Sequence, residues 1–526
     1  MSLSRCLLLL LAPASAFGQA FQTQKLVGTS VVAGSKFGCS VSLCGSDLLC
    51  GTSLVTGGSH RAYAFTHAGG GWSEHAVLAA PSFGGALRVA IRGDIALLGA
   101  PAVDGYAWRF VRSGGAWGTP TAISPGYGED EFGFSVAIGE DQRLHVGAPY
   151  LDACFPNHDG VVVGFCASGG SWTPNLWLVD PNACSNNYNE SFGWSVAASG
   201  SSVAVGANGI HPLIGGSTGP GQAFVFEVSC ASGPAAPAIL ANAAARFGEG
   251  VALDRDTLIV GSYGAAFAYA RVGANWVAQG TLDPQDPSAG PEYGAVVAVL
   301  GDIALVGDRT SSATGALSGA VYVFRRSGSS WTRIQILTGN DTVAGDRFGS
   351  GVALDGYSVA VGAPLADTVG ADSGAVYLFS LPLAPPQVYC TGKPNSLGCV
   401  PQIGFDGVPS TSAVAVFDVN AIQELNLKLG LLLYGTTGVA ANPFQGSTLC
   451  IAPPLHRTAA QSSLGSAPPA NDCSGSYHYD FNARIQSGFD PALVPGARVA
   501  AQYWSRDPAD NWHTALSDAL LFTIGP

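Results

Sequence analysis

The stretch that decides the fold is FGSGVALDGYSVAVGAPLADTVGADSGAVYLF, residues 348–379. It opens with Phe348-Gly349, runs through a short apolar segment and turns at Asp355-Gly356, a dipeptide typical of tight hairpins. A second apolar segment ends at Gly362-Ala363-Pro364, and a third covers Gly374 to Phe379 after a longer loop. Short apolar runs separated by turn residues predict β-strands rather than helices.

The same pattern recurs seven times before residue 380. Each copy opens with Phe-Gly or Tyr-Gly, and a second glycine follows 14 residues later in five copies, 15 in one and 16 in one. Where a fourth apolar run follows, as in Trp331 to Leu337, each repeat of 46 to 60 residues holds four short strands. That combination predicts the blades of a β-propeller. The opening aromatic residues are Phe37, Phe83, Phe132, Phe192, Phe247, Tyr293 and Phe348.

The seventh copy ends at Phe379 without a fourth strand, and residues 21–27 before the first copy have the composition of that strand. We therefore expect 21–28 to complete the blade made by 348–380 and to remove the open edge of its sheet. The predicted organisation is a signal peptide at 1–20, a seven-bladed propeller at 21–380, a proline-rich linker at 381–387 and a C-terminal β domain at 388–526.

The pattern FGxSV, then VGAP, then GAVYVF resembles the FG-GAP repeat of integrin α-subunit propellers and their bacterial relatives. Matching segments are Phe132-Gly133-Phe134-Ser135-Val136 with Gly147-Ala148-Pro149, and Phe192-Gly193-Trp194-Ser195-Val196. The resemblance covers 37–380. It implies an all-β, seven-bladed propeller that is often extracellular and is used for adhesion or ligand binding.

Integrin blades commonly carry a calcium loop resembling D-x-D-x-D-G, and this sequence has no such spacing. The nearest candidates for calcium ligands are Asp254 with Asp256, and more loosely Asp341 with Asp346. Calcium takes six to eight oxygen ligands. Solvated loop carboxylates are therefore the preferred interpretation, calcium at these turns is the alternative, and no other cofactor is expected.

Charge and the first residues indicate the compartment. Charged residues make up 11% of the chain, against roughly 25% in an ordinary domain, and the net charge is −13. An acidic surface argues against binding to nucleic acid. Arg5 followed by the apolar run 6–11 predicts a secretory signal peptide, and this run is too short to span a membrane. We expect a secreted or cell-surface protein without a transmembrane segment.

Cysteines in an exported protein form disulfides more often than metal sites. Eleven remain after removal of 1–20, so one thiol is left over for a free or intermolecular state. Local pairing is expected for Cys390 with Cys399 and for Cys450 with Cys473, and Cys154 with Cys184 would join two long loops. The segment after residue 387 is expected to be a small disulfide-bearing β-sandwich, similar to C-terminal modules of exported bacterial proteins and without a known chemistry.

Strand alternation places the loops after the second and fourth strands of every blade on one side of the ring, here called the long-loop face. Variable loops gathered on one face of a repeat array are the usual binding surface. These loops are 150–160, 180–191, 207–221, 283–292, 308–319, 339–347 and 365–373. The candidate ligand-binding residues on them are Asp152, His158, Asp159, Tyr188, Glu190, His211 and Asp308.

Catalytic motifs are missing from the sequence: the histidines are scattered, and no H-E-x-x-H motif or phosphate-binding loop occurs. The leading hypothesis is a noncatalytic binding or adhesion protein that recognises a protein or glycan outside the cell. A glycan-active hydrolase or lyase with its site on the same face is one alternative, and a structural envelope component is another. The oligomeric state is left open.

Overall fold

The structure is a computed structural model that describes residues 20–525 except for short gaps. The gaps are 54–60, 69–70, 82–84, 102–104, 126–130, 140, 152–159, 169, 183–190, 211–219, 356–357, 382–385, 408, 412–415, 469 and 495–496. The predicted signal peptide falls outside the described residues. The chain divides into two compact units, Ala20–Leu381 and the C-terminal part from residue 382.

The first unit consists of antiparallel sheets with four strand positions each, as the hairpin pattern predicts, and seven such sheets lie in its described part. We number these blades 1 to 7 in chain order. Their strands are, in blade 1, Ser40–Cys44, Asp47–Gly51, Arg61–Ala68 and Gly71–Ala79; in blade 2, Arg88–Arg92, Ile95–Ala100, Tyr106–Ser113, Ala116–Trp117 and Thr121–Ile123; in blade 3, Ser135–Ile138, Leu144–Ala148, Val161–Ser168 and Ser171–Leu178; in blade 4, Phe192–Ser199, Ser202–Ala207, Gln222–Ser229, Gly233–Pro234 and Ala238–Ala241; in blade 5, Gly250–Asp254, Thr257–Ser262, Ala265–Val272 and Asn275–Thr281; in blade 6, Val296–Leu300, Ile303–Asp308, Ala320–Ser327 and Ser330–Leu337; and in blade 7, Gly351–Asp355, Ser358–Ala363, Ala375–Ser380 and Phe21–Leu26.

The sheets are arranged as a ring. The first strand of each blade contacts the first strand of the next, and Gly351–Asp355 of blade 7 contacts Ser40–Cys44 of blade 1. The outer strand of blade 7 comes from the other end of the unit, because Phe21–Leu26 pairs antiparallel with Ala375–Ser380. The predicted all-β class and propeller fold are confirmed.

The glycine pattern has a steric cause. A Cβ atom added to Gly362 would lie 1.8 Å from the carbonyl oxygen of Gly38, the opening glycine of the next blade around the ring. The same contact joins Gly261 to Gly294 at 1.8 Å. The opening glycines in the described part of the chain have positive φ, for example +88° at Gly38, a region that side chains disfavour. At the seam between blades 1 and 2 the contact differs, because a Cβ atom on Gly51 would meet the Leu87 carbonyl oxygen at 3.1 Å. At the other six seams, close approach of neighbouring blades requires glycine on both sides.

The opening aromatic rings fill the space between blades. Phe348 is fully buried and packs edge-on against Tyr377 at 5.5 Å between ring centroids. Phe192 meets Phe224 at 5.1 Å, and Tyr293 meets Tyr322 at 5.2 Å. Edge-to-face packing of this kind adds to the free energy gained by burying each ring. The aromatic residue and the glycine thus act together: the ring fills the interface, and the glycine allows the backbones to approach.

The C-terminal unit is a β-sandwich, as the sequence predicts. Its larger sheet contains Gln387–Tyr389, Thr514–Thr523, Arg498–Arg506, Leu429–Gly435, His456–Arg457 and Gln461–Ser462. Its smaller sheet contains Gln402–Asp406, Asp418–Glu424 and Gly475–Asp480, followed by the helix Phe481–Gln486. A separate hairpin is formed by Val439–Phe444 and Ser447–Ile451. Side chains of both sheets share one core, with Val419 and Tyr477 facing Tyr434, Tyr503 and Phe522.

The local disulfide pairings expected from the sequence are wrong. Cys390 bonds Cys450, and Cys399 bonds Cys473. The hairpin strand that carries Cys450 lies beside the edge strand of the larger sheet, where the Tyr389 hydroxyl donates a hydrogen bond to the Cys450 carbonyl at 2.6 Å. The segments that meet in the folded unit, rather than closeness in sequence, therefore decide the pairs.

The propeller has a disulfide of its own and several free thiols. Cys166 of blade 3 bonds Cys230 after the third strand of blade 4, which joins two neighbouring blades. Cys39, Cys44 and Cys50 are free among the described cysteines. Cys154 and Cys184 lie outside the described residues.

Substitution of Gly362 by alanine is expected to destabilise the propeller by about 1–3 kcal/mol, because the new methyl group overpacks the seam between blades 7 and 1. Gly71→Ala is the matched control, since its Cβ would meet nothing closer than the Gln24 side chain at 3.6 Å. Urea unfolding of both variants measures the difference. Equal midpoints would show that the seam does not require glycine.

Deletion of residues 21–28 is expected to lower the melting temperature sharply, because Ala375–Ser380 then has an unpaired edge. Adding the peptide FQTQKLVG in trans should recover part of the loss, and a scrambled peptide should recover none. Differential scanning fluorimetry with each peptide tests this. An unchanged melting temperature after deletion would mean that this strand does not hold the ring together.

Candidate functional site

Most of the candidate ligand-binding residues fall in the gaps. Asp152, His158, Asp159, Tyr188, Glu190 and His211 lie outside the described residues, so they stay a prediction. Asp308 is described and is fully buried. Its carboxylate accepts hydrogen bonds from the Gly290 amide at 2.6 Å and from the Thr310 amide and hydroxyl at 3.0 and 2.8 Å. Asp308 thus ties two long loops together instead of facing a ligand.

The four calcium candidates have local roles. Asp254 accepts a hydrogen bond from the Gly301 amide of the next blade at 2.6 Å, and Asp256 is exposed in the adjoining turn. Asp341 accepts hydrogen bonds from Lys25 at 2.7 Å and from the Tyr377 hydroxyl at 2.9 Å. Within the described part of the chain, no group of three or more His, Cys, Asp or Glu residues is arranged to hold a metal ion.

The last of these candidates, Asp346, is buried. It accepts a hydrogen bond from the Val343 amide at 2.9 Å. Burial raises the pKa of this carboxyl, and the Val343 hydrogen bond acts in the opposite direction. The loop geometry explains Asp346 without an ion.

Side chains from neighbouring blades converge where the inner strands begin, on the long-loop face. We name this group the axial cluster. The centroids of the Phe134 and Trp194 rings, each following a Phe-Gly dipeptide, lie 4.6 Å apart across blades 3 and 4, with the ring planes tilted by 46°. Its members are Arg88, Phe134, Tyr150, Trp194, Asn208 and Glu249.

Arg88 forms one end of the axial cluster. Its Nε donates a hydrogen bond to the Phe134 carbonyl at 3.2 Å, and its guanidinium lies 5.5 Å from the Phe134 ring centroid. Burial lowers the pKa of Arg88, while the charges of Glu131 and Glu249 act against that shift. Arginine titrates so far above neutrality that Arg88 stays charged. A fixed positive charge therefore stands beside an aromatic surface.

Glu249 forms the other end. It accepts a hydrogen bond from Asn208 Nδ2 at 2.9 Å. Burial raises the pKa of Glu249, and this hydrogen bond together with the charges of Arg246 and Arg309 opposes the rise. Asn208 is fully buried, so its amide holds the Glu249 carboxyl in place from the protein interior. Trp194 and Glu249 are partly exposed.

The other titratable groups of this region are poor catalysts. Burial, reinforced by the charges of Glu131 and Glu249, raises the pKa of Tyr150 to about 12. Burial also raises the pKa of the nearby Cys39 thiol to about 11. A thiol must lose its proton to act as a nucleophile. At neutral pH both groups keep their protons, which disfavours a base or a nucleophile at these two positions.

The sequence contains a signal that could have identified Arg88 as a site residue. In copies 1, 3 and 4 a serine follows the opening triplet, and in the latter two its hydroxyl bonds to the next blade: Ser135 donates to the Gly193 carbonyl at 2.7 Å and Ser195 to the Gly248 carbonyl at 2.9 Å. Copy 2 is two residues longer before its second glycine, and Arg88 occupies the serine position in the sheet register. An arginine in a serine position marks a departure from the repeat.

A separate cavity of about 410 Å³ lies on the outer rim between blades 1 and 2, with Leu78 and Phe110 buried in its floor. His75 is the extra residue of a bulge, and its Nε2 accepts a hydrogen bond from Trp117 Nε1 at 3.0 Å. Its Nδ1 lies 3.0 Å from the Thr66 hydroxyl. Burial lowers the pKa of His75. With both nitrogens engaged, the histidine joins two blades and is not a free base.

Comparison with known proteins supports the repeat assignment. The family described as FG-GAP repeat matches residues 186–226, 276–324 and 331–379. The chain contains FG-GAP repeats. The last two matches begin in the fourth strand of one blade and end in the third strand of the next, so an FG-GAP repeat is offset from a blade by one strand. This offset leaves the last blade in need of a strand from elsewhere in the chain.

Other comparisons add little about function. No curated protein matches the chain. Among solved structures, the chain is similar to one described as the mitotic checkpoint complex, with 11% identity, a TM-score of 0.46 and coverage of 72% of this chain and 97% of that one. A protein from Lactobacillus plantarum gives 12% identity, a TM-score of 0.37 and coverage of 58% and 85%. At these scores neither likeness says what the FG-GAP propeller binds.

Two features of the structure bear on the compartment in which the protein works. Three disulfides among the described cysteines and an FG-GAP propeller together suggest an extracellular protein. In the portion of the chain that is described, no helix has the length and apolar character needed to cross a membrane. A propeller of this family is a scaffold of the binding or adhesion type.

The buried carboxyl groups in the described part of the C-terminal unit include that of Glu424. Its Oε2 accepts a hydrogen bond from the Ser505 hydroxyl at 2.7 Å, and its Oε1 has no partner among the described residues. Burial raises the pKa of Glu424 from 4.5 to about 7, Ser505 opposes the rise and Asp507 adds to it. Because Glu424 is shielded from solvent, its role is structural rather than catalytic.

Glu424→Gln is expected to flatten the pH dependence of this unit. Because folding raises the pKa, the wild-type unit is most stable below about pH 4.5, loses stability between about 4.5 and 7, and levels off above. The loss is on the order of 3 kcal/mol. Hydrogen exchange of amides in 418–424 and 498–506 of the full chain, at pH 5 and 8, measures it. The control is Asp406→Asn, at an exposed site of the same sheet. If Glu424→Gln keeps the pH dependence of stability, Glu424 is not its cause.

Proposed function

We propose that this chain is an exported, noncatalytic binding or adhesion protein that recognises a protein or glycan through the long-loop face of its propeller. The observation that carries the proposal is the axial cluster. Blades 2 to 5 each contribute a side chain to it, through Arg88, Phe134, Trp194 and Glu249. A partly exposed row of aromatic rings between opposite charges is typical of a recognition surface.

The enzymatic alternative has one specific observation in its favour. The charges of Glu131 and Glu249 both raise the pKa of Tyr150. Glycoside hydrolysis uses a pair of carboxyl groups. The hydrogen bond that Glu249 accepts from Asn208 engages one of these two carboxyl groups, which favours binding over catalysis. Turnover of a bound glycan that Glu249→Gln abolishes would reverse this preference.

Trp194→Ala is expected to weaken retention of the binding partner at least tenfold, because an aromatic anchor at the centre of an interface carries much of the binding energy. The full mature chain is immobilised and tested against a glycan array and a cell-surface extract, with and without calcium. Trp194→Phe should keep most of the binding, since an aromatic ring still packs beside Phe134.

The matched control is Val272→Ala at the opposite end of blade 5. Val272 is 62% exposed beside the tight turn after the third strand. This substitution should leave binding unchanged. If Trp194→Ala, with a normal melting temperature, binds as well as wild type, the axial cluster is not the binding site. If the wild-type chain retains no partner at all, the structural envelope alternative is favoured.

A further inference from the structure

Arg88 in the axial cluster has side-chain N–H donors without an acceptor in the described part of the chain. Its Nε is bonded to the Phe134 carbonyl, but no described residue accepts a hydrogen bond from its Nη1 or Nη2. The guanidinium is fixed by that bond and by the Phe134 ring, so the remaining N–H groups point in a defined direction. A guanidinium with free paired N–H groups is suited to a carboxylate, which it binds through two parallel hydrogen bonds.

The neighbours of Arg88 form a row. The Phe134 ring lies next to the guanidinium, the Trp194 ring centroid lies 4.6 Å from that of Phe134, and the carboxyl group of Glu249 in the next blade is bonded to Asn208. The row therefore runs from a cation over two aromatic rings to a carboxyl group. An aromatic surface supplies stacking area, and a carboxyl group accepts hydrogen bonds from hydroxyls. Buried Asn208 holds the Glu249 end in place.

We propose that the axial cluster binds a uronate unit of an acidic glycan. The sugar ring lies over Phe134 and Trp194, its carboxylate pairs with Arg88, and its hydroxyls donate to Glu249. This inference rests on the proposed function, because it names the ligand class of the same site. The charges at the two ends of the row orient the sugar. Arg88 attracts the uronate carboxylate and Glu249 repels it, so the carboxylate faces Arg88.

A matched ligand pair tests this directly. The full mature chain is titrated by calorimetry with a hexamer of galacturonic acid and with the same hexamer fully methyl-esterified, which keeps the rings and removes the charge. Wild type should bind the acid form at least tenfold more tightly. Arg88→Gln should lose at least tenfold toward the acid form and little toward the ester. Trp194→Ala should lose binding to both forms.

The variant Glu249→Gln distinguishes an electrostatic role of Glu249 from a purely structural one, because only the electrostatic role predicts tighter binding of the acid form. It removes a negative charge but keeps a hydrogen-bonding side chain, so binding of the acid form should strengthen severalfold while binding of the ester stays unchanged. Arg326→Gln is the control, because Arg326 pairs with Asp302 at the tight-turn end of blade 6. If Arg88→Gln does not fold, Arg88→Lys replaces it and should keep part of the acid preference.

The outcomes separate this inference from the proposed function. Equal binding of acid and ester, or an acid preference that survives Arg88→Gln, overturns the uronate assignment. If neither hexamer binds while Trp194→Ala abolishes capture of a surface protein, the uronate inference fails and the binding function stands. If Trp194→Ala changes no interaction of the chain, the binding function of the axial cluster fails as well.

Discussion

The contact on which the propeller depends is the approach of one glycine to another, which recurs at every described blade seam except that between blades 1 and 2. The second-strand glycine of a blade lies against the carbonyl oxygen of the opening glycine of the next, as Gly206 does against Gly248 and Gly362 against Gly38. A side chain at either place would push the blades apart and expose the aromatic rings packed between them. The low charge and high glycine content of the chain follow from this constraint, since a residue at such a seam can carry neither volume nor charge.

Much of the fold could be predicted because this constraint is local in sequence. The spacing between Phe348-Gly349 and Gly362 is set by two strands and one tight turn, so five copies share it and the other two are longer by only one or two residues. The disulfide pairs could not be predicted in this way. Cys390 and Cys399 are close in sequence, yet they bond to two different segments, because the folded arrangement of strands and loops decides which sulfur atoms meet.

The candidate site was harder to predict, for two physical reasons. A polar residue at a loop, such as Asp308, looks exposed in sequence, but loop 283–292 covers it and uses its carboxylate. Convergence around the ring cannot be seen from one repeat, since Arg88 and Glu249 come from blades 2 and 5. The one available sign was a mismatch, an arginine where sister copies have serine. In a repeat protein, departures from the repeat report on function better than its regular positions do.

The pairing of Phe21–Leu26 with Ala375–Ser380 also determines when the ring can close during synthesis of the chain. The strand that closes the ring emerges first during synthesis, and its partner emerges about 350 residues later. Until then the early strand must wait without its edge partner, while blades 3 and 4 can already be joined through Cys166 and Cys230. Such long-range pairing is slow to form, and a waiting strand can insert into another copy's ring. The same strand that closes the ring is thus the element through which two chains can exchange parts.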